Sequence, residues 1–136
     1  MGLAYDQKNQ ITTAFGFLPQ ALSGTTNIVG EIVDTLGFES LTFVITTDAI
    51  AAAALSAVLL IEEGNASNVS DAAAVADADL VGTEADTLLG PATTSIAVTL
   101  GYTGSKRYVR PTLVVTTNNG TDVVGLISIL GHQKQI

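Results

Sequence analysis

The sequence lacks cysteine and is poor in histidine, two side chains that often act as nucleophiles, general bases or metal ligands. Its 136 residues include no cysteine, no tryptophan and a single histidine, His132. Without cysteine the chain can form neither a disulfide nor a thiolate nucleophile, and one histidine leaves a structural zinc site without its usual ligands. The sequence therefore predicts no metal and no cofactor. The role of His132 is left open.

Charged residues are also scarce, and most of them are acidic. They make up 13% of the chain, and 13 acids against 5 bases give a net charge of −8. An acidic surface repels phosphate backbones and anionic lipids, so we expect neither a nucleic-acid nor a membrane partner. The longest apolar stretch, Ala49–Ile61, is shorter than the ~20 residues that a membrane-spanning helix needs.

Hydrophobic residues, in contrast, make up 47% of the sequence. So few charges cannot cover the surface of a domain of this size, so Thr, Ser, Gly, Ala, Asn and some apolar side chains must cover the rest. Extended uncharged surfaces usually mark contacts with other chains. The composition favours a subunit of an assembly, although an ordinary Thr-rich β-domain accounts for much of it as well.

Residues 25–136 have the pattern of an all-β domain. Threonine and valine fit the pleated surface of a sheet, and their runs are separated by turn residues. We predict an antiparallel β-sandwich, of jelly-roll or Ig-like type. The predicted strands are Thr26–Asp34, with Ile28 and Ile32 on one side, Phe38–Thr47, Leu55–Glu63, Thr94–Leu100, Tyr108–Thr117 and Thr121–Gly131.

Three local features refine this prediction. Asp48–Ala53 combines a potential N-cap with good helix formers, and we interpret it as a turn or one helical turn. Asn118-Asn119-Gly120 predicts a type I′ hairpin that pairs the last two strands, since Asn-Gly accepts positive φ. Pro111 lacks an N–H, so the side of the strand to which its nitrogen points must face a sheet edge or a bulge.

Residues 1–24 differ from the rest of the chain. They show no sustained period, and their apolar side chains cluster at Phe15, Phe17 and Leu18. We interpret the segment as an extended N-terminal arm outside the packed layers. Such an arm is either a frayed end or a segment bound to a neighbouring chain, and these three residues are candidate interface residues.

No motif in the sequence indicates catalysis. Nucleophile-elbow, dinucleotide-binding and phosphate-loop patterns are all missing, so we predict that the protein is not an enzyme and name no catalytic residue. Acids between Glu62 and Asp79 are of the type that binds Ca²⁺, but the EF-hand order is missing. Solvated loop acids are the favoured interpretation, and the role of this loop is left open.

Three of the five bases lie close together. Lys106, Arg107, Tyr108 and Arg110 combine cationic and aromatic side chains of the kind that protein interfaces favour, so we predict that they form an interface. On a strand, Tyr108 and Arg110 would share one face and Arg107 and Val109 the other. Ion pairing within the chain is an equally weighted alternative, with Glu31, Glu39 or Glu62 as partners.

Several segments together resemble small structural proteins of tailed bacteriophages and prophages, over about 70% of the chain. This resemblance implies a capsid decoration, or cement, protein on the exterior of the virion capsid, with the major capsid protein as partner and a homotrimer as the assembly. The resembling segments are Gly101–Arg110, the Thr-rich strand and Asn-Gly turn after it, the Val-rich strand that ends at Leu130-Gly131-His132, Gly37–Phe43, Leu60–Glu63 and Val75–Gly82.

Two alternatives stay open. One is another phage structural subunit, of the tail, a fibre or the head–tail connector, which copy number in the particle would distinguish from a decoration protein. The other is a surface module that binds glycans or Ca²⁺, although aromatic residues, which stack on sugars, make up only 5% of the chain.

Overall fold

A computed structural model describes residues 6–91 and 93–133, and residues 1–5 and 134–136 of the predicted arm and sandwich lie outside them. The described chain is all-β, with two short 3-10 helices at Asp77–Asp79 and Glu84–Thr87. The strands are β1 (Ile11–Ala21), β2 (Ile28–Val29), β3 (Val33–Asp34), β4 (Phe38–Thr47), β5 (Leu55–Gly64), β6 (Ala73–Ala74), β7 (Leu80–Val81), β8 (Ile96–Tyr102), β9 (Tyr108–Asn118) and β10 (Val123–Gln133).

The strands form two antiparallel sheets that share one core. Sheet A has the order β1-β10-β4-β8-β7, and sheet B has the order β2-β9-β5-β6, with β3 also paired to β9. The inner face of each sheet contributes to a single buried cluster. Phe43 and Ile45 of β4, Leu59 and Ile61 of β5 and Leu113 of β9 are almost fully buried in it. The prediction of an antiparallel two-sheet protein is confirmed.

The long central strands follow from hydrophobic alternation. In β4 and β5 every second residue is buried, because successive side chains point to opposite faces of a strand. β4 has the predicted bounds, β5 extends one residue further, and β8 places Ile96, Val98 and Leu100 on the core side as expected. Asp48–Ala53 is irregular and contains no helix.

The predicted hairpin at Asn118-Asn119-Gly120 is wrong. β9 lies in sheet B and β10 in sheet A, so the segment crosses between sheets. Neither Asn119 nor Gly120 has the positive φ that a type I′ turn requires. Instead, the backbone and side chain of Asn119 bond to Ala54, and the Asp122 carboxylate accepts the N–H groups of Ala51 and Ala52. These tertiary contacts outweigh the local turn preference.

The first segment is not an arm separate from the sandwich. Residues 11–21 form β1, which pairs along β10 at the edge of sheet A. Phe17 is only 4% exposed, and Leu22 is buried in the same core. The apolar residues of this segment do not alternate regularly, because β1 changes register between Phe15 and Phe17. Gly16 is the extra, unpaired residue at this irregularity, and it turns Phe17 inward. Deleting residues 1–24 would therefore remove part of the core.

The strand predicted at Thr26–Asp34 is interrupted. Val33 is five positions after Ile28, but their partners on β9, Leu113 and Val109, are only four positions apart. The extra residue reverses the alternation, so Val33 is buried and Ile32 is exposed, contrary to prediction.

Pro111 lies opposite this interruption, as its missing N–H requires. Its carbonyl accepts the Gly30 N–H, and the nitrogen and oxygen of one residue point to the same side of a strand. The side of Pro111 without an N–H therefore faces the gap between β2 and β3, at the edge of sheet B.

Candidate interaction surfaces

Among the described residues, the outer face of sheet A carries no charged side chain. The strand register shows which residues share this face, because paired residues point to the same side. From here on, "the neutral face" means these outward residues: Ile11, Thr13, Phe15, Ser40, Thr42, Val44, Thr46, Val81, Ala97, Thr99, Gly101, Val123, Gly125, Ile127, Ile129 and Gly131.

Several of these side chains are large, apolar and open to solvent. Phe15 is 53% exposed and lies directly across from Ile127, which is 39% exposed. Thr13 and Ala14 join this pair in lining an open apolar depression at the edge of the sheet. Ile11, Val81 and Val123 are also exposed. Interfaces are depleted of charge at their centre, and the neutral face has this composition.

The charged residues of the long strands gather at one end of the sheets. This end, called here the charged end, comprises the start of β4 and β9 and the end of β5 and β8. Glu62 and Arg110 face each other on the outer side of sheet B, with 2.8 Å between Arg110 Nη2 and Glu62 Oε2. Their side chains are 26% (Arg110) and 22% (Glu62) exposed, so the pair is mostly shielded from solvent.

Arg107 is also paired within the chain. Its Nε and Nη2 each donate to the Asp34 carboxylate at 2.8 Å, and its guanidinium lies 5.0 Å from the centre of the Tyr108 ring. The hydrogen bonds from Arg107 hold the pKa of Asp34 below its usual value. Both side chains are 45% exposed. Both arginines therefore have carboxylate partners within the chain, as the ion-pairing interpretation requires. Glu62 is one of the three predicted partners, whereas Asp34 was not predicted.

The strand alternation of this cluster is partly as predicted. Tyr108 and Arg110 share the outer face of sheet B, while Val109 is fully buried. Arg107 precedes β9 and lies at the surface over Tyr108, so it does not follow Val109 inward.

Lys106 is held through its backbone. Its N–H donates to the Tyr102 hydroxyl at 3.0 Å, and that hydroxyl donates to Glu63 Oε2 at 2.5 Å. Burial and the nearby Glu63 carboxylate raise the pKa of Tyr102, so the hydroxyl stays protonated. The arrangement fixes the loop between β8 and β9.

The acidic loop after β5 is stabilised by one of its own carboxylates. Asp71 accepts the N–H of Asn65 at 2.8 Å and of Ala66 at 3.1 Å, and these bonds lower its pKa. A carboxylate that accepts two backbone N–H groups is already well satisfied. Among the described residues, no group of three or more acidic or histidine side chains is arranged to hold a metal ion.

The predicted arm residues have different positions. Phe15 and Leu18 are exposed on β1, whereas Phe17 is in the core and contributes no surface. His132 is the penultimate residue of β10 and has a positive φ of 51°, and its Nδ1 is 3.1 Å from Ser40 Oγ. It lies away from the basic cluster in sequence and sheet, and nothing in its contacts indicates catalysis.

Sequence reasoning did not identify the neutral face. Its residues alternate with the core residues of β4, β8 and β10. The alternation that predicted these strands therefore also fixes which of their residues point away from the core. What the sequence did not supply was the strand order that places these neutral residues side by side.

These observations define the class of this chain as an all-β protein of two antiparallel sheets with an uncharged outer face. No helix in the described part of the chain has the length and apolarity to cross a membrane. A scan against protein-family models finds no match, and a search of curated proteins finds no relative.

Proposed function

We propose that this chain is a non-enzymatic binding subunit of a phage or prophage particle. In this role it is a capsid decoration protein that docks on the exterior of the shell and stabilises it against internal DNA pressure. The neutral face carries this proposal, because a chain with a net charge of −8 keeps one whole sheet surface free of charge. Such a surface can pack against a larger protein without burying an unpaired ion.

The strand order supports a jelly-roll form of the sandwich, which we propose over the Ig-like form. The chain passes from sheet A to sheet B three times: from β1 to β2, from β4 to β5 and from β8 to β9. It returns to sheet A at β10. The chain therefore crosses repeatedly between the sheets. Two-sheet jelly rolls are frequent in viral capsid proteins, which agrees with the resemblance.

The predicted interface residues differ in whether they can contact the shell in this proposal. Phe15 belongs to the neutral face and Leu18 lies next to it on β1, so both can contact the shell directly. Lys106 lies in the loop between β8 and β9, and Tyr108 lies on the outer side of sheet B, so neither belongs to the neutral face. Arg107 and Arg110 hold the charged end together through Asp34 and Glu62, since their guanidinium groups are already bonded within the chain.

The test compares two valines of equal exposure on opposite sheets. Val81 lies on the neutral face and Val29 on the outer side of sheet B; each is 62% exposed and each lies on a two-residue strand. Val81→Glu buries a charge in the proposed interface, and we expect it to weaken shell binding at least tenfold, about 1.4 kcal/mol. Val29→Glu adds the same charge outside it and should bind as the unmodified chain does.

Binding is measured by co-sedimentation with particles built from the major capsid protein of the same phage or prophage. Equal effects of the two substitutions would contradict the choice of face. Copy number tests the role itself, because a decoration protein approaches the copy number of the major capsid protein. Only six or twelve copies per particle would indicate a connector, and absence from the particle would refute the proposal.

A further inference from the structure

The four edges of the two sheets are very unequal. Sheet A ends in β1 and β7, and sheet B ends in β6 and the interrupted pair β2 and β3. β1 is eleven residues long, whereas each of the others has two residues. Short edge strands offer few unpaired backbone groups, so they resist pairing with another chain. β7 covers only Gly101 and Tyr102 of β8, so Ile96–Leu100 of β8 also has no strand on its outer side. Within the described residues, β1 is the longest edge strand.

Only the second half of β1 is protected. There the strand changes register and contains Pro19. The Gly16 carbonyl also accepts the Glu31 N–H at 2.7 Å. Bulges, proline and a covering segment are common ways to block an edge. The first half, Ile11–Phe15, has none of them and carries no charge. All five of its residues are exposed, and no backbone bond from outside its pairing with β10 reaches it in the described chain.

We infer that this open edge pairs with the same edge of a second copy of the chain. The two Ile11–Phe15 segments run antiparallel about a two-fold axis at Thr13, which joins the two copies of sheet A into one ten-stranded sheet. This contact concerns the chain and its own copy, so it stands or falls independently of the shell-binding proposal.

The segment is complementary to itself in this register. Ile11 lies opposite Phe15 of the second copy, which is the aliphatic–aromatic type of pair that stabilises sheets, and Thr13 lies opposite itself. The apolar depression lined by Thr13, Ala14, Phe15 and Ile127 is next to the incoming Ile11. Since the segment is uncharged, the net charge of −8 on each copy brings no like charges together within the ladder.

The contact also continues a surface that each copy already has. Ile11, Thr13 and Phe15 belong to the neutral face, so pairing merges two neutral faces into one surface of double width. A cyclic trimer built from edges would need a second, different edge of comparable length on each copy. The outer side of β8 beyond β7, Ile96–Leu100, has a comparable length, but the Ile11–Phe15 segment is complementary to itself, so we place the contact on a two-fold axis.

Analytical ultracentrifugation of the full chain tests the inference. A five-residue ladder buries less than a standard interface of about 1,600 Å², so we expect a dissociation constant on the order of micromolar. The mass should rise with concentration from 13.9 kDa towards twice that value. A chain that stays monomeric up to roughly 500 µM, where a micromolar dimer would be nearly complete, or that forms trimers, would overturn the inference.

Charge substitutions at Thr13 test the position of the two-fold axis. Thr13→Lys and Thr13→Glu each place like charges opposite each other, so each variant alone should be monomeric. Mixed in equal amounts, they should recover a dimer, because opposite charges then face each other. Thr99→Lys adds a charge to the same face but on β8, away from the edge, and should dimerise like the unmodified chain. Dimers of Thr13→Lys alone, or no recovery on mixing, would overturn the assignment.

Hydrogen exchange of the unmodified chain gives a test that needs no variant. Amides of Ile11–Phe15 that point away from β10 should become protected as the concentration rises. Dimerisation without added protection there would place the contact elsewhere and contradict the inference.

Discussion

At the scale of single residues, the basic cluster shows how the surroundings of a side chain determine its role. Arg107 and Arg110 are three positions apart and have the same chemistry, and each binds one carboxylate. The Arg107–Asp34 pair is nearly half exposed, whereas the Arg110–Glu62 pair is mostly shielded on sheet B. Exposed pairs contribute little because water and salt screen them, and shielded charges depend more on their partners.

We therefore expect different costs when each arginine is replaced by methionine, which keeps the aliphatic stem. Arg110→Met leaves Glu62 shielded without its partner and should lower the free energy of unfolding by about 1–2 kcal/mol, between the values for exposed and buried pairs. Arg107→Met should cost less, because water and salt already screen that pair. Urea denaturation measures both, and equal losses would contradict the assigned difference in shielding.

At the scale of elements, the segment between β2 and β3 joins the two sheets along one side. The Gly30 N–H donates to Pro111 of sheet B at 2.8 Å, and the next N–H, of Glu31, donates to Gly16 of sheet A at 2.7 Å. A side chain cannot fit at this crossing, because a Cβ on Gly30 would lie 2.5 Å from the Pro111 oxygen and 2.7 Å from the Gly16 oxygen. Both neighbours are backbone atoms and cannot rotate away.

Gly30→Ala should therefore lower the free energy of unfolding by about 1–3 kcal/mol, as overpacking in a core does. Gly90→Ala is the matched control, because the nearest atom to its added Cβ would be the Leu55 oxygen at 3.7 Å. That variant should stay within about 0.5 kcal/mol of the unmodified chain. Thermal or urea unfolding gives both values, and a neutral Gly30→Ala would mean that the crossing is looser than described.

At the scale of the whole molecule, several carboxylates link stability to pH. Hydrogen bonds hold the pKa values of Asp34, Asp48 and Asp71 below the ordinary value of 3.8. A group whose pKa is lower in the folded state stabilises the fold above its unfolded pKa. This stabilisation is lost as the pH falls through the folded value.

We expect the free energy of unfolding to be steady near neutral pH and to fall as the pH drops below about 4. Asp71→Asn removes one of these groups, so the variant should be less stable at neutral pH and should lose less on acidification. The two curves should converge at low pH, where Asp71 is protonated in both states. Denaturation at a series of pH values measures this, and parallel curves would show that Asp71 does not contribute.

The sequence predicted more of the elements than of their arrangement. β4, β5, β8 and most of β9 and β10 follow from alternation and β-branched residues, which are local properties. The hairpin at Asn119-Gly120 failed because hydrogen bonds to Ala54 and Asp122, distant in sequence, outweigh a local turn preference. Of the candidate interface residues in the first segment, Phe15 and Leu18 are exposed, whereas Phe17 is buried in the core.

By itself, the amino-acid sequence determined that the chain folds as antiparallel strands and that it has no cysteine and one histidine, because alternation and composition need no knowledge of neighbours. The tertiary structure alone decided that residues 11–21 close the edge of sheet A, and that neutral residues from five strands share one face. Pairing brings together residues far apart in the chain, and the extra residues at β1 and between β2 and β3 reverse which side chains point inward.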